Sequence, residues 1–214
     1  MLEVREISNK YGSLLHMGTK KRLDISQPHI ENLTHEAPIV QLLENSTYDV
    51  FVDIGAAFGY FTKIAAHYAQ QVYAYEAHPL RFGFLKWNTM NLRNVGVSNI
   101  PIGTGKKDMF IAPGPTGMVG SNHVHRVNRY DFEPIPLDSE YLNRWESILV
   151  KIDVEGNELD VIHSGKRLKE QNNVWWIVEL HTDIVKRKDL LKEFGGYAQE
   201  KILERKATEH WLFY

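Results

Sequence analysis

The 214-residue chain contains no cysteine. That absence removes disulfide staples, thiolate nucleophiles and cysteine-ligated zinc or iron–sulfur centres together. There is no apolar run near the roughly 18–20 residues that a bilayer-crossing helix needs. Neither sign of charge dominates: 25 Lys and Arg stand against 27 Asp and Glu, a net charge of −2. Global attraction to nucleic acid or anionic lipid is therefore not expected. The N-terminal MLEVREISNKYG lacks a cationic head followed by an apolar stretch, so it does not read as a signal peptide. Internal repeats and low-complexity tracts are missing as well. At 43% hydrophobic and 24% charged residues, the composition is that of an ordinary globular protein. The expectation is a soluble, cytoplasmic, single-domain chain.

What is present is an alternation of short β-rich runs and amphipathic segments. DVFVDI (49–54) is a compact apolar run stopped by glycine, the mark of a buried parallel strand. Phe58, Phe61, Ile64, Ala65 and Tyr68 follow at helical spacing. QVYAYE (71–76) reads as a second strand, and Pro79 opens a helix that Leu80, Phe84, Leu85 and Asn88 continue. Val95 to Ile102 is a third strand, and the Gly- and Pro-rich stretch 103–126 is loop. ILVKID (148–153) is a strand, 155–165 a helix closed by glycine, VWWIVEL (174–180) a strand and 184–194 a helix. Two strand-like pieces at 197–203 and 207–214 are too close for a parallel crossover, so they pair antiparallel. The fold class predicted is α/β, a mostly parallel sheet with helices on both faces and a C-terminal antiparallel hairpin. Residues 1–45 precede this pattern and are expected to add a cap or lid to the domain at 46–214.

Ligands of such sheets bind beyond the carboxyl ends of the strands. The segment there is VDIGAAFGY (52–60), in which Gly55, Ala56, Ala57 and Gly59 have little side chain, letting backbone amides approach a ligand. A helix beginning near Phe58 points its free N–H groups at the same spot, favouring a carboxylate. The spacing departs from G-x-G-x-x-G, because Ala57 stands where the second glycine belongs, which disfavours a dehydrogenase. Asp53, just before the turn, would repel a pyrophosphate. A zwitterion with a cationic centre fits better, and S-adenosylmethionine is one. Glu76, at the end of the second strand, is placed to accept both ribose hydroxyls.

Asp153 closes ILVKID, with Glu155 and Glu158 on either side of Gly156 beyond it. Acid at a helix start is also ordinary dipole complementation, which suffices for Glu158. It serves Asp153 less well, since a charge at a buried strand end needs a partner. Lys151, two residues earlier on the same face, is the expected partner. Glu179 and His181 end the VWWIVELH strand, where His181 would titrate near neutrality.

VFVDIGAAFGYFTKIA, VYAYEAHPLRFGFLKWNTMNL, LVKIDVEGNELDVIHSG and WWIVELH resemble the FkbM-type methyltransferases, over about residues 49–181. The KIDVEG-x-E element is the most specific of the four. The resemblance implies a Rossmann-like class I methyltransferase with a seven-stranded sheet, using S-adenosylmethionine to methylate hydroxyls of sugars or other small molecules. Carried over by position, Asp53, Gly55, Ala56, Ala57, Phe58 and Tyr60 bind the methionine part of the cofactor, and Glu76 with Ala77 the ribose. Asp153 lies by the amino-acid moiety or the transferred methyl. Ala57 departs from the family's frequent Asn, and IGTGKKDMF lacks an evident acidic residue for the adenine amino group, leaving backbone near Gly103 for that task.

Methyl transfer requires an acceptor oxygen about 3 Å from the methyl, and a base helps a neutral hydroxyl by about 10²–10⁴-fold. His181 or Glu179 is the expected base, with Glu155 next and Lys151 counted in the same catalytic group. A metal-assisted variant would use Asp153, Glu179 and His181 as ligands of a divalent cation. Two other readings stay open: a tRNA or RNA methyltransferase, supported by Lys106, Lys107, His123, His125, Arg126 and Arg129, and a non-catalytic adenosyl-nucleoside-binding protein. Acceptor choice is expected in 1–38 and 103–131, with Tyr11, His16 and the HVHR run as contacts.

Overall fold

The computed structural model describes residues 1–105, 133–141, 147–171 and 173–214. The basic group from Lys106 to Arg129, the HVHR run and the rest of the predicted loop from 106 to 131 lie outside the described residues.

The chain opens on an antiparallel hairpin, β1 (Leu2–Asn9) and β2 (Gly12–Thr19), turned at Gly12 with φ 98°. Helix α1 (Lys20–Glu31) lies against it, and its Ile30 joins Ile7 and Leu14 in a small core. Helix α2 (Ala37–Glu44), with Pro38 in its first turn, buries Ile39, Val40 and Leu43. Those three share a core with Phe51, Phe61, Leu149 and Ile177, so α2 is packed onto the sheet itself. The sequence pattern gave no sign of this, because α2 has no preceding strand in the alternation.

Then come β3 (Tyr48–Ile54), α3 (Tyr60–Ala65), β4 (Ala69–Tyr75), α4 (Pro79–Thr89) and β5 (Val95–Ser98). They are followed by α5 (Leu137–Tyr141), β6 (Ile148–Ile152), α6 (Glu158–Ser164), α7 (Lys166–Lys169), β7 (Val174–His181), α8 (Arg187–Glu193), β8 (Gln199–Glu204) and β9 (Thr208–Phe213). The main sheet runs β5-β4-β3-β6-β7-β9-β8, parallel from β5 to β7, with β9 antiparallel to both its neighbours. The predicted terminal hairpin is therefore present, and its second strand inserts between β7 and β8.

Strand alternation divides the core. Val50, Val52 and Ile54 face one layer with Val150, Ile152, Trp176 and Val178, while Phe51, Leu149 and Ile177 face the other. Two helices start later than their spacing predicts. Gly59 takes a left-handed φ of 86° before α3, and Glu155 and Gly156 take φ of 53° and 107° before α6. These turns re-aim the chain where it leaves the sheet. Among the described residues, no helix is long and apolar enough to cross a membrane.

Candidate functional site

β3 hydrogen-bonds β4 on one side and β6 on the other, so the chain reverses its direction of winding between β3 and β6. A cavity of about 420 Å³ opens beyond the carboxyl ends of these two strands. This is where a doubly wound sheet leaves room for a ligand. Gly55, Ala56, Ala57 and Phe58 form one wall, and Lys151, Asp153 and Glu155 the floor. Leu14, His16 and Met17 from β2, with Arg22, Ile25 and Ser26 from α1, form the roof.

The tight turn after β3 depends on Gly55. Its φ is 83°, and a Cβ there would fall 1.8 Å from the Asp153 carbonyl oxygen. The turn's amides, however, are spent inside the protein. Gly55 and Ala56 N–H both donate to the Tyr75 carbonyl at 2.9 and 3.0 Å, and Ala57 N–H donates to Glu76 Oε2 at 2.8 Å. Glu76 also accepts from His78 N–H at 2.8 Å. It braces the turn instead of lining this cavity, and burial pushes its carboxyl up despite Arg81 and the two amides. The expected amide cradle for a carboxylate is thus corrected: these three donors are already used.

Strand register explains the charges of the floor. Asp53 sits opposite Lys151, and Glu179 opposite His210. Period-two alternation puts Asp153 on the face of Lys151, and Glu179 on the face of Ile177. One row of ionisable groups therefore crosses the sheet edge. Lys151 Nζ lies 3.7 Å from Asp53 Oδ1 and 3.5 Å from Asp153 Oδ2. Burial works against the ammonium, but the surrounding carboxylates outweigh it and raise its pKa. A lysine held charged in this way is a counter-ion, which agrees with its expected pairing with Asp153 and gives it an electrostatic place in the catalytic group. Asp53 is buried, accepts from Thr62 Oγ at 2.7 Å, and has its carboxyl raised by burial. It supports the floor from beneath and does not reach the cavity wall.

Asp153 and Glu179 behave as a pair. Burial raises both; Lys151 reverses this for Asp153, whereas the Asp153 charge raises Glu179 further. The two carboxyls are therefore shifted apart, Asp153 downward and Glu179 upward. Glu179 also lies 3.2 Å from His210 Nε2.

His181 is caged. Nδ1 is 2.8 Å from Glu158 Oε1, and Nε2 is 3.3 Å from Glu155 Oε2. Burial disfavours the charged ring, but hydrogen bonds to Glu155 and Glu158 outweigh it and push the pKa up to about 11. The ring is thus held protonated between two carboxylates, which corrects the expectation that it titrates near neutrality. The Asp153, Glu179 and His181 ligand atoms do lie within 4.8 Å of one another. Both nitrogens of the ring are nonetheless committed to carboxylates.

The cavity holds two imidazoles of opposite character to His181. His16 stacks on Phe58 at 4.5 Å between centroids, and burial lowers its pKa to about 4. Burial also lowers His35, whose Nε2 is 3.5 Å from Glu36 Oε1. Both rings are neutral near pH 7. His35 was missed in the sequence because its element carries no family-like motif; Glu36 was missed for the same reason.

Of the predicted cofactor residues, Gly55, Ala56, Ala57, Phe58, Tyr60 and Asp153 line the cavity, as do Glu155 and Lys151 from the catalytic group. Asp53, Glu76, Ala77, Gly103, Glu179 and His181 are not among its lining residues. Gly103 N–H donates to the Ile135 carbonyl at 3.1 Å, so this amide is not open to an adenine. Tyr11 is elsewhere, bonded to Glu44 and Tyr68.

The model of the methyltransferase FkbM domain matches residues 53–205. No curated protein sequence matches the chain. Among solved structures, the methyltransferase FkbM of Methylobacillus flagellatus KT superposes with a TM-score of 0.53 at 15% identity, over 79% of this chain and 44% of that one. The chain therefore spans less than half of that protein. Precorrin-6y C5,15-methyltransferase of Geobacter metallireducens GS-15 gives 0.53 at 13% identity, over 84% and 86%. Magnesium protoporphyrin IX methyltransferase of Synechocystis PCC 6803, solved with bound S-adenosylmethionine, gives 0.53 at 11%, over 92% and 83%. At these identities the likeness is one of fold, the Rossmann-like class I methyltransferase sheet. With the family model matching well over half of its length, the chain belongs to the FkbM methyltransferase family.

Proposed function

We propose that the protein is an S-adenosylmethionine-dependent O-methyltransferase acting on a hydroxyl of a sugar or other small molecule. The observation that carries this reading is the cavity at the β3–β6 switch point. Its floor is acidic (Asp153, Glu155, Glu36), and its walls are apolar and aromatic (Phe58, Tyr60, Phe61). That combination favours a sulfonium with an apolar acceptor body beside it.

When bound, the cofactor supplies an already activated methyl group. The chain's own residues position the partners and move the proton. Asp153 and Glu155 hold positive charge at the floor, with Lys151 and His181 holding those carboxylates in place. The acceptor's hydroxyl proton goes to His35, a neutral imidazole facing the cavity, with Glu36 oriented beside it. The β1–β2 hairpin and α1 act as the lid, since they form the roof over the floor carboxylates.

Calorimetry with S-adenosylmethionine and its demethylated product tests the binding half. The expected result is binding by the wild type, weakened on the order of tenfold in D153N, a loss of about 1.4 kcal/mol. No heat with either compound overturns the reading. A panel of hydroxyl acceptors tests the chemical half; tight cofactor binding with no turnover on any acceptor favours a non-catalytic binding protein.

A further inference from the structure

We propose that Glu36, Glu179 and His210 form a binding site for one divalent first-row cation, such as Mn²⁺ or Zn²⁺. The three residues come from the loop before α2, the end of β7 and the middle of β9, and they converge beneath the cavity. His210 is fully buried, and Glu36 and Glu179 are nearly so. His210 Nε2 lies 3.2 Å from Glu36 Oε2 and 3.2 Å from Glu179 Oε2. Yet neither ring nitrogen has a hydrogen-bond partner, and Glu36 Oε2 has none either. A ring N–H points along one line and is not aligned with either oxygen, so close charges are left without directional bonds.

A cation seated among the three atoms satisfies them together. Ligand atoms about 2.1 Å from such an ion, at tetrahedral or octahedral angles, stand about 3.0–3.5 Å apart. The two separations at His210 fall in that range, and ligand atoms of all three residues lie within 4.8 Å of one another. Two carboxylates and an imidazole suit Mn²⁺ or Zn²⁺, with the ring proton on His210 Nε2 released to solvent as the ion binds; Ca²⁺ takes about six to eight oxygens. The other oxygen of Glu36 is fixed by Arg205 at 2.9 Å, the kind of outer support that orients a ligand. Glu36 also lines the cavity, which gives an ion a path inward.

This set differs from Asp153, Glu179 and His181, whose imidazole Nδ1 is hydrogen-bonded to Glu158 at 2.8 Å, whereas neither ring nitrogen of His210 has such a partner. Glu36 and His210 both fall outside the matched residues 53–205, and Glu179 falls within them. It does not rest on the methyl-transfer reading, and its test uses the metal alone.

The full chain, stripped with chelator and free of cofactor and acceptor, is titrated with MnCl₂ while free Mn²⁺ is followed by its paramagnetic resonance signal. Zinc uptake is measured by elemental analysis after dialysis. One ion per chain is expected, with affinity at least tenfold weaker in E36Q and in H210Q and unchanged in H181Q. E36Q carries the test if circular dichroism shows H210Q unfolded. The proposal is overturned if the wild type takes up neither ion, if E36Q binds as the wild type does, or if H181Q alone loses the ion.

Discussion

His181 on β7 and His16 on β2 titrate in opposite directions because their neighbours differ. His181 is held as a cation between Glu155 and Glu158, with a pKa pushed up to about 11. Its contribution to stability is complete below the unfolded value near about 6.5 and fades as pH rises towards the folded value. Nuclear magnetic resonance should show no titration of this ring between about pH 6 and 9. H181Q should cost about 3 kcal/mol at pH 6 in urea denaturation, and less at pH 9. His16, lowered by burial to about 4, follows the reverse sign. Its neutral form is favoured in the fold, so its contribution is present above about pH 6.5 and is lost as pH falls towards the folded value. H16F should flatten that part of the acid limb, and an unaltered limb would count against the burial argument. Gly55 is a steric case. G55A should lose more than about 3 kcal/mol, because the new methyl meets the Asp153 carbonyl at a left-handed φ.

Among the groups that attach the roof to the rest of the fold is Asn88 on α4. Its Oδ1 accepts from Leu15 N–H at 2.7 Å, and its Nδ2 donates to the carbonyls of Leu15 and Phe58 at 2.9 and 2.8 Å. One amide thus ties β2 to the turn after β3. N88A leaves buried backbone groups unpaired and should cost about 2–4 kcal/mol, with faster hydrogen exchange at the Leu15 amide. Unchanged exchange at Leu15 would mean that the hairpin is held by other contacts. Helix α2 is held by packing instead. Leu43, 1% exposed, fills the core beside Phe51 and Ile64, and L43A should cost about 2–5 kcal/mol in thermal or urea unfolding.

Across the whole molecule, the buried charges need the sheet to be complete. Arg205 and His210 come from the last hairpin, Glu36 from the segment before α2, and Lys151 and Glu179 from the middle of the sheet. Removing one partner leaves a buried charge uncompensated, which is more harmful than the pair is stabilising. A ligand that binds the folded cavity should raise the melting temperature, by the equivalent of about 2.7 kcal/mol at a hundred times its dissociation constant. No shift with S-adenosylmethionine at saturating concentration would contradict the binding half of the proposed function.

Local pattern by itself determined the strands, since DVFVDI, ILVKID and VWWIVEL are apolar runs that only a buried sheet accommodates. It also determined the glycine turn and the antiparallel tail, because steric freedom at Gly55 and the short link between the last strands are properties of neighbouring residues. Tertiary structure decided which ionisable side chains meet. The pairing of β7 with β9 sets Glu179 opposite His210, and the fold of the first 45 residues carries Glu36 to the same place. The ionisation states of His181, His16 and Lys151 likewise follow from burial and from partners distant in sequence. A side chain's charge depends on the groups within a few ångströms of it, and those distances are set by strand order and register.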